Sequence, residues 1–199
     1  MASPLRHKLF EFRHYQIATE HFGSFVQLTK EKIHMRTAHS PLLGYWQIEA
    51  GLLNSVCHIW HFDSFEHRAR VRAALAADPE WNETYLNKCK PWWVSQKNSF
   101  MQIFEDAKTD VVPEGLASPG LYAIDVGPVS RGLTNHSSKL FTWRVVAGDL
   151  PVRSVLSLSR ITAPDGITHT PEPHHSEVEN EKYSSSRMIV SALPFSTLR

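Results

Sequence analysis

The chain has 199 residues, of which 42% are apolar and 11% aromatic. This composition is typical of one folded domain or two small ones, and it argues against wholesale disorder. Because 21 basic residues are balanced by 20 acidic ones, the net charge is +1. Such a balance does not favour binding to nucleic acid or to an anionic membrane. No apolar stretch approaches the roughly 18 residues of a membrane span.

The two cysteines and the first residues bear on the cellular compartment. Cys57 lies in an apolar run and Cys89 in a helical segment, without CxxC spacing. We therefore expect reduced core thiols, which suit a reducing compartment. The first eight residues do not resemble a signal peptide and are too few for an ordinary mitochondrial presequence.

The first sixty residues predict a strand, a helix and a hairpin. Leu9–Ile17 alternates with period two, as a half-buried strand does, and Thr19 is a candidate N-cap for the helix that follows. Pro41 closes this helix. Two aromatic-rich strands over residues 42–50 and 54–62 then form an antiparallel hairpin. The helix is indicated by apolar residues and one threonine at helical spacing: Phe22, Phe25, Val26, Thr29 and Ile33.

The next forty residues predict two helical segments and a short strand. Residues 63 and 64 cap a helix that runs to about Ala77, and residues 78–80 begin another with an N-cap, a proline and an acid. Pro91 breaks or kinks that segment, and residues 99–104 form the last strand. The order is that of an α+β fold of the ferredoxin-like, split βαβ type, with helices on one face of a four-stranded antiparallel sheet.

The second half partly repeats the first at an offset of 97 residues. Strands are predicted over residues 121–126, 139–147, 152–161 and 187–193. No long helix fits residues 127–138, and the prolines and glycine of residues 162–177 resist a second one. We therefore predict a complete domain over 1–106, a linker over 107–119 and an incomplete second repeat over 120–199. The matching pairs are Leu43 and Leu140, Trp46 and Trp143, Ile48 and Val145, Ala50 and Ala147, Gly51 and Gly148, and Leu53 and Leu150.

A sheet without covering helices would expose an apolar face. Three outcomes stay open: the first domain covers that face, a partner chain covers it, or the second repeat is not stable. In the last case the chain would be a shortened variant that depends on dimerisation, and residues 1–106 would fold as well alone.

Four segments of the first half resemble the NIPSNAP family, closest to its shorter NipSnap 3-type members. They are KEKIHMRTAHS at 30–40 running into LGYW at 43–46, HIWHFDSFEHR at 58–68, VRAAL at 71–75 and DPEW at 78–81. The resemblance is specific over residues 9–104 and weak over 120–199, although residues 188–198 resemble the family's C-terminus.

This resemblance implies a dimeric α/β-barrel architecture in which two ferredoxin-like sheets close on each other. The family has no established catalytic residues, so the implied function is a non-enzymatic binding or adaptor protein. Its members are associated with mitochondria, vesicular transport and, in some cases, the marking of damaged mitochondria. Protein partners, self-association and peripheral membrane contact are expected. The resemblance favours a mitochondrial location and the missing presequence a cytoplasmic one.

The candidate pocket or interface residues lie at the end of the first helix and in the hairpin. Arg36 and His39 share a helix face, where they either bind an anion or partner or offset the helix dipole. The chain from this helix end leads directly into the first strand of the hairpin. The hairpin adds Tyr45, Trp46, His58 and Trp60.

No metal, cofactor or catalytic site is predicted. His58 and His61 point to opposite faces of a strand, so they cannot share one ion without a bulge. His169, Glu172, His174, His175 and Glu177 lack a recognised ligand spacing. No catalytic triad, paired-carboxylate signature, phosphate loop or dinucleotide fingerprint is present.

An enzyme is the alternative hypothesis. Dimeric α/β barrels also include small monooxygenases and haem-linked enzymes with a pocket between sheet and helices. Arg36, Tyr45, Trp46 and His58 would then line that pocket. A cavity of several hundred Å³ with convergent polar groups would favour this alternative, and a filled space would exclude it.

Overall fold

A computed structural model of the protein describes residues 7–104, 119–128, 139–161 and 186–195. These residues form eight strands and several helices. The strands are β1 (Leu9–Ile17), β2 (Leu42–Ala50), β3 (Ser55–Phe62), β4 (Trp93–Ile103), β5 (Leu121–Pro128), β6 (Lys139–Gly148), β7 (Ser154–Arg160) and β8 (Ser186–Ala192). The α-helices are α1 (Phe22–Thr37), α2 (Phe65–Ala77), α3 (Pro79–Trp81) and α4 (Asn87–Cys89).

The eight strands close a barrel in the order β1-β3-β2-β8-β5-β7-β6-β4, with every neighbouring pair antiparallel. The first half contributes β4-β1-β3-β2 and the second half contributes β8-β5-β7-β6. The second sheet therefore repeats the order of the first, as the internal repeat suggests. The two sheets join at two seams, β2 with β8 and β4 with β6. The prediction of an α+β fold with antiparallel sheet is confirmed.

The hairpin of β2 and β3 depends on two glycines. Gly51 adopts a φ of +130° at the turn, a conformation that residues with a Cβ rarely adopt. A Cβ on Gly44 would lie 2.2 Å from Cη2 of Trp46, so the indole ring occupies the space above this glycine. Glycine at position 44 therefore lets the largest side chain of β2 pack flat on its own strand.

Capping residues mark the starts of α2 and α3. The Ser64 side chain accepts a hydrogen bond from the backbone N–H of His67 at 3.2 Å, and Asp78 accepts one from Trp81 at 3.1 Å. Both predicted caps are confirmed. The prediction that Thr19 caps the first helix is wrong. A 3₁₀ turn over Thr19–His21 comes first, and the Thr19 hydroxyl accepts a hydrogen bond from Asn54.

The helical stretch after Pro79 is irregular, and the strand after it is longer than predicted. α3 continues through a π-helical turn over Asn82–Leu86, α4 and a 3₁₀ turn over Lys90–Trp92. β4 then starts at Trp93 rather than at Ser99. The sequence from 93 to 98 is largely polar, and its side chains are half-buried or exposed. The hydrophobicity pattern therefore does not reveal this part of the strand.

Two separate hydrophobic cores occupy the two faces of the first sheet. Among the described residues, nine from each half are buried in the barrel interior, including Phe10 and Trp46 from the first and Trp143 and Leu156 from the second. The outer core lies between the first sheet and the helices, and includes Phe25, Val71 and Trp81. The apolar face of the second sheet is therefore covered by the first sheet, within one chain.

The predicted division into domains is not tested by these residues. The linker predicted over 107–119 lies, except for its last residue, outside the described part of the chain, and so do residues 162–177. The boundaries 1–106 and 120–199 stay a prediction.

Candidate functional site

A cavity of about 350 Å³ lies between the outer face of the first sheet and the helices. Its sheet-side wall is formed by side chains of β1, β2 and β3. Its helix-side wall is formed by α1, α2 and the irregular stretch after Pro79. The exposed side chains of Arg72, Lys90 and Gln96 border it, so the cavity is open to solvent at this edge.

Three neighbouring strands each place one polar side chain in a row on the sheet-side wall. Arg13 of β1 is paired with His58 of β3, and His58 is paired with Tyr45 of β2. The Tyr45 ring stacks on the imidazole of His58 with centroids 4.5 Å apart and planes 5° apart. Tyr15 meets the same imidazole edge-on at 5.0 Å. The imidazole is thereby held in one orientation.

The tautomer of His58 follows from its hydrogen bond. The indole Nε1 of Trp60, which can only donate, lies 2.6 Å from Nδ1 of His58, so Nδ1 accepts. The neutral ring must then carry its proton on Nε2. Burial lowers the pKa of His58 well below its ordinary value, and the charges of Arg13 and Arg36 lower it further. His58 is 5% exposed, and its Nε2 has no hydrogen-bond partner among the described residues.

Glu11 supplies the carboxylate of the sheet-side wall, and its oxygens already accept hydrogen bonds within the protein. Its two oxygens accept hydrogen bonds from Arg68 at 3.0 and 2.7 Å, and Asn98 donates at 2.9 Å. Arg13 approaches Oε1 more weakly, at 3.4 Å. Burial by itself raises the pKa of Glu11, which is 1% exposed, but the hydrogen bond from Arg68 and the nearby arginine charges lower it overall. Glu11 is therefore a structural anion.

Arg36 is buried without a carboxylate. It lies in the last turn of α1, 9% exposed, with its guanidinium 4.1 Å from the ring centroid of Trp60. Its hydrogen bond goes to the Ser40 hydroxyl at 2.5 Å, and among the described residues it forms no ion pair. Burial and the charge of Arg13 lower its pKa to about 10, so it is still a cation at pH 7.

The wall opposite the sheet is mainly apolar and aromatic. Trp81 and Tyr85 stack with centroids 4.4 Å apart, and the Tyr85 hydroxyl is 3.0 Å from that of Thr29. Tyr85 belongs to the π-helical turn, an irregularity that is frequent at functional sites. Burial raises the pKa of Tyr85 well above its ordinary value, so the phenol stays neutral.

Comparison with known families identifies this half of the molecule. Residues 10–108 match the NIPSNAP family model. The first half of the chain belongs to the NIPSNAP family. Protein NipSnap homolog 3A from Pongo abelii is 47% identical over 78 residues, which cover 39% of this chain and 32% of that protein. Human protein NipSnap homolog 3B is 45% identical over 123 residues, which cover 54% and 50%. The chain thus spans between a third and a half of these relatives.

The barrel is similar to that of a solved anthrone oxidase-like protein. The two structures share 10% identity, cover 94% and 91% of the respective chains, and superimpose with a TM-score of 0.58. At this identity the likeness shows the fold alone. It extends across both halves of the chain, whereas the NIPSNAP match ends at residue 108.

The structure brings together four of the six residues predicted from the sequence. Arg36, Tyr45, His58 and Trp60 all line the cavity of the NIPSNAP domain. His39 lies beyond the end of α1 and does not line it. Trp46 is fully buried in the barrel interior instead, because adjacent residues of a strand point to opposite faces.

Sequence reasoning missed Glu11, Arg13, Tyr85 and Trp93, which also line the cavity. The signal for the first two was present. Residues 11 and 13 share one face of a strand whose other face carries Phe10 and Phe12. A charged face on a half-buried strand normally faces solvent, and here it faces a helix-covered cavity.

The described residues hold no metal cluster. No group of three His, Cys, Asp or Glu side chains within these ranges is placed to hold an ion. His58 and His61 lie on opposite faces of β3, as predicted. The histidine-rich stretch with His169, His174 and His175 lies outside the described ranges. Cys57 and Cys89 are buried free thiols, as expected from the sequence.

Proposed function

We propose that the NIPSNAP domain is a binding module that holds a compact organic molecule between its sheet and its helices without transforming it. The observation that carries this proposal is the cavity of about 350 Å³. Ligand pockets usually measure about 300–1,000 Å³ and combine apolar walls with a few polar groups. The aromatic wall and the row of Arg13, His58 and Tyr45 match that description.

A cavity of several hundred Å³ with convergent polar groups is also what the enzyme alternative requires, so the cavity by itself does not separate the two functions. The protonation states of its groups favour binding over catalysis. A general acid or base needs a pKa near the working pH. The pKa of Glu11 is lowered by the hydrogen bond and charge of Arg68 against the effect of burial, and the pKa of His58 is lowered away from neutrality. Cys57 lies on the other face of the sheet, and burial raises the pKa of its thiol. These groups are suited to hydrogen bonding, not to proton transfer.

The haem-linked alternative would need an iron ligand in the cavity. A metal-bound histidine normally donates its second ring N–H to an acceptor. His58 has the opposite arrangement, because its Nδ1 accepts from Trp60 and its Nε2 carries the proton. The cavity is also at the small end of the usual range. Both observations favour a compact organic ligand over a porphyrin bound through His58.

Fragment screening by NMR tests the binding function. In ¹H–¹⁵N spectra of the full chain, we expect several fragments of a diverse library to shift resonances of residues around the cavity. The variant Ala76→Phe places a ring at the cavity edge and should abolish these shifts. Ala73→Phe is the matched control, because position 73 is an exposed residue of the same helix that does not line the cavity.

Two results would count against the proposal. One is the lack of any fragment that shifts cavity resonances in the wild-type chain. The other is binding that survives Ala76→Phe unchanged, since the fragments would then bind elsewhere.

The wider role proposed for the chain is that of a non-enzymatic adaptor associated with mitochondria and vesicular transport, including mitochondrial quality control. It rests on the family resemblance. The exposed apolar side chains of Leu52, Leu53 and Val94 support contact with a protein partner or a membrane surface. No helix of the described residues is long and apolar enough to cross a membrane. Imaging the chain tagged at its C-terminus tests a mitochondrial against a cytoplasmic location, and diffuse signal would contradict the adaptor role at mitochondria.

The fold assignment and self-association belong to the same proposal. The strand order of each half supports a ferredoxin-like split βαβ unit in the first and a shortened copy in the second. The barrel needs no second chain to close, so a homodimer would form through its outer surface. Light scattering of the purified chain distinguishes a monomer from a dimer.

A further inference from the structure

We infer that the cavity selects a compact carboxylic acid with an apolar, preferably aromatic body, its carboxylate held by Arg36, Arg13 and the Nε2–H of His58. This inference rests on the proposed binding function and specifies the ligand class. It follows from three independent features of the site: its charge, its donors without acceptors, and its apolar walls.

The first feature is an excess of buried positive charge. Arg13, Arg36 and Arg68 surround one carboxylate, that of Glu11. Arg68 occupies both oxygens of Glu11, and the contact of Arg13 is long at 3.4 Å. Arg36 contacts an aromatic ring and a hydroxyl and forms no ion pair among the described residues, so the charge of Glu11 acts on it only at longer range. Burying a cation without an anion is unfavourable, so a ligand that supplies a negative charge would offset this cost.

The second feature is a set of buried donors without acceptors. Nε of Arg13, Nε2 of His58 and Nε1 of Trp93 all belong to cavity residues and lack partners within the described chain. Each carries hydrogen, because guanidinium and indole nitrogens only donate and Nδ1 of His58 already accepts. These unpartnered donors belong to three residues that line the cavity, one each on β1, on β3 and at the start of β4. A carboxylate has about four acceptor positions and can satisfy several donors together.

Indole donors alone would not carry the inference. Trp46 and Trp143 also have unpartnered Nε1 atoms, yet they lie in the filled barrel interior. Nε2 of His14 is a further unpartnered ring nitrogen, and His14 does not line the cavity. The cavity differs because it combines an unpartnered guanidinium nitrogen with an unpartnered imidazole nitrogen. Such groups are costly to bury without partners, whereas a buried indole loses less.

The third feature is the apolar remainder of the cavity. Ile33, Leu75, Trp81 and Leu86 line the side that faces the helices. The volume would hold roughly a dozen waters at about 30 Å³ each, which corresponds to a body of one or two rings. A carboxylate suits this setting better than a phosphate, since a dianion would lose more hydration among apolar walls. Arg72 and Lys90 at the open edge would attract an acid from solution.

A series of ligands that differ in charge alone tests the inference. The probes are 2-naphthoate, 2-naphthamide and naphthalen-2-ylmethylamine, titrated by calorimetry against the full chain at pH 7. We expect the acid to bind at least about 10-fold more tightly than the amide, as one charge-assisted contact implies, and the amine to bind most weakly. Naphthyl phosphate, included as a fourth probe, should bind more weakly than the acid.

A pair of arginine variants assigns the selectivity to the cavity. Arg36→Met should weaken naphthoate binding about 10- to 100-fold and naphthamide binding by a clearly smaller factor, because the amide offers only a neutral acceptor. Its thermal midpoint should be equal to or above that of the wild type, because the variant removes a buried cation that has no anion. Arg70→Met makes the same change at an exposed position of α2 outside the cavity, and should leave the affinity for naphthoate unchanged.

The outcomes separate this inference from the binding function itself. Equal affinities for acid and amide, both lost in Ala76→Phe, would overturn acid selectivity while the binding function stands. Tighter binding of naphthyl phosphate than of naphthoate would overturn the carboxylate assignment. No binding of naphthoate at millimolar concentration would also overturn the inference, and the fragment screen would decide the binding function separately.

Discussion

The two faces of the first sheet bury different kinds of side chain. The inner face meets the second sheet in an interior filled by apolar side chains, nine from each half. The outer face meets the helices, and it buries Glu11, Arg13, Arg36 and His58 around an open cavity. One sheet therefore carries a face specialised for stability and a face specialised for binding.

The difference teaches where function can be sought in this fold. Packing and hydrogen-bond satisfaction are the rule for protein interiors, and departures from them concentrate at functional sites. The inner face departs from the rule at two indole nitrogens and at Nε2 of His14, which lies on the same face of β1 as Phe10 and Phe12. The outer face departs from it with charged and ring nitrogens next to empty space. The predictions below test the inner face first, because disturbing it should have the largest effects.

Removal of the second half should abolish the monomeric fold. A fragment of residues 1–106 would expose the nine inner residues of the first sheet to water, together with the free edges of β2 and β4. In the chain these edges pair with β8 and β6, so two fragments could rebuild the barrel by pairing β2 of one with β4 of the other. We expect a dimer or aggregate by light scattering. A stable monomeric fragment with native circular dichroism would contradict this.

A cavity in the inner core should be severely destabilising. Trp143→Ala removes a fully buried ring that packs on Phe10 and Phe141. Such truncations reduce the free energy of unfolding by about 3–5 kcal/mol. Val152→Ala, at an exposed turn position, should change it by less than about 0.5 kcal/mol. Urea unfolding of both variants measures the contrast, and a loss below about 1 kcal/mol for Trp143→Ala would show that the interior is not cooperative.

The sequence predicts local elements better than it predicts how they join. β1 and β2 are predicted to the residue, because period-two alternation and the glycine turn are local signals. The family resemblance implies a barrel of two sheets, but no local pattern predicts that one chain closes it, because the seams pair residues far apart, such as Trp46 with Ala192. Alternation shows that the second sheet has an apolar face. It does not show which surface covers it, so that question stayed open until the structure was known.

The same limit applies to the site. His58 and Tyr45 were proposed as candidates from their residue types and proximity to Arg36, and the cavity contains all three. Trp46 was included because it follows Tyr45, although period two sends it to the other face. Glu11 and Arg13 were missed because a charged strand face predicts solvent. The helices that cover this face are placed by tertiary packing, which no local pattern records.

Neutralising the buried carboxylate should destabilise the outer face. Glu11→Gln would leave Arg13 and Arg68 without the carboxylate they contact, which costs about 3 kcal/mol of unfolding free energy. Urea unfolding at pH 7 measures this loss. The double variant Glu11→Gln/Arg68→Met should recover part of it, since it also removes one uncompensated cation. Equal stability of the single and double variants would mean that Arg68 is not coupled to Glu11.

The smallest effect expected is a loss of stability in mild acid, to which histidines on both faces of the first sheet contribute. Burial lowers the pKa of His58 well below 6.5, and burial also lowers the pKa values of His14 and His61. Below pH 6.5 these histidines bind protons in the unfolded chain but stay neutral in the folded chain, because folding lowers their pKa values. The free energy of unfolding should therefore decrease as the pH is lowered, by at most about 1.4 kcal/mol per pH unit for each histidine. Glu11, whose pKa is lowered from 4.5, adds a further loss at still lower pH.

Variants of the cavity should divide this pH dependence among its causes. His58→Asn keeps an acceptor for Trp60 and removes one titrating group, so urea unfolding between pH 6.5 and 5 should show a shallower slope than the wild type. Arg36→Met should also reduce the slope, because the charge of Arg36 is one of the causes that lower the pKa of His58. A wild-type slope retained in His58→Asn would place the pH dependence at other histidines. The pKa of His58 would then not be lowered by folding.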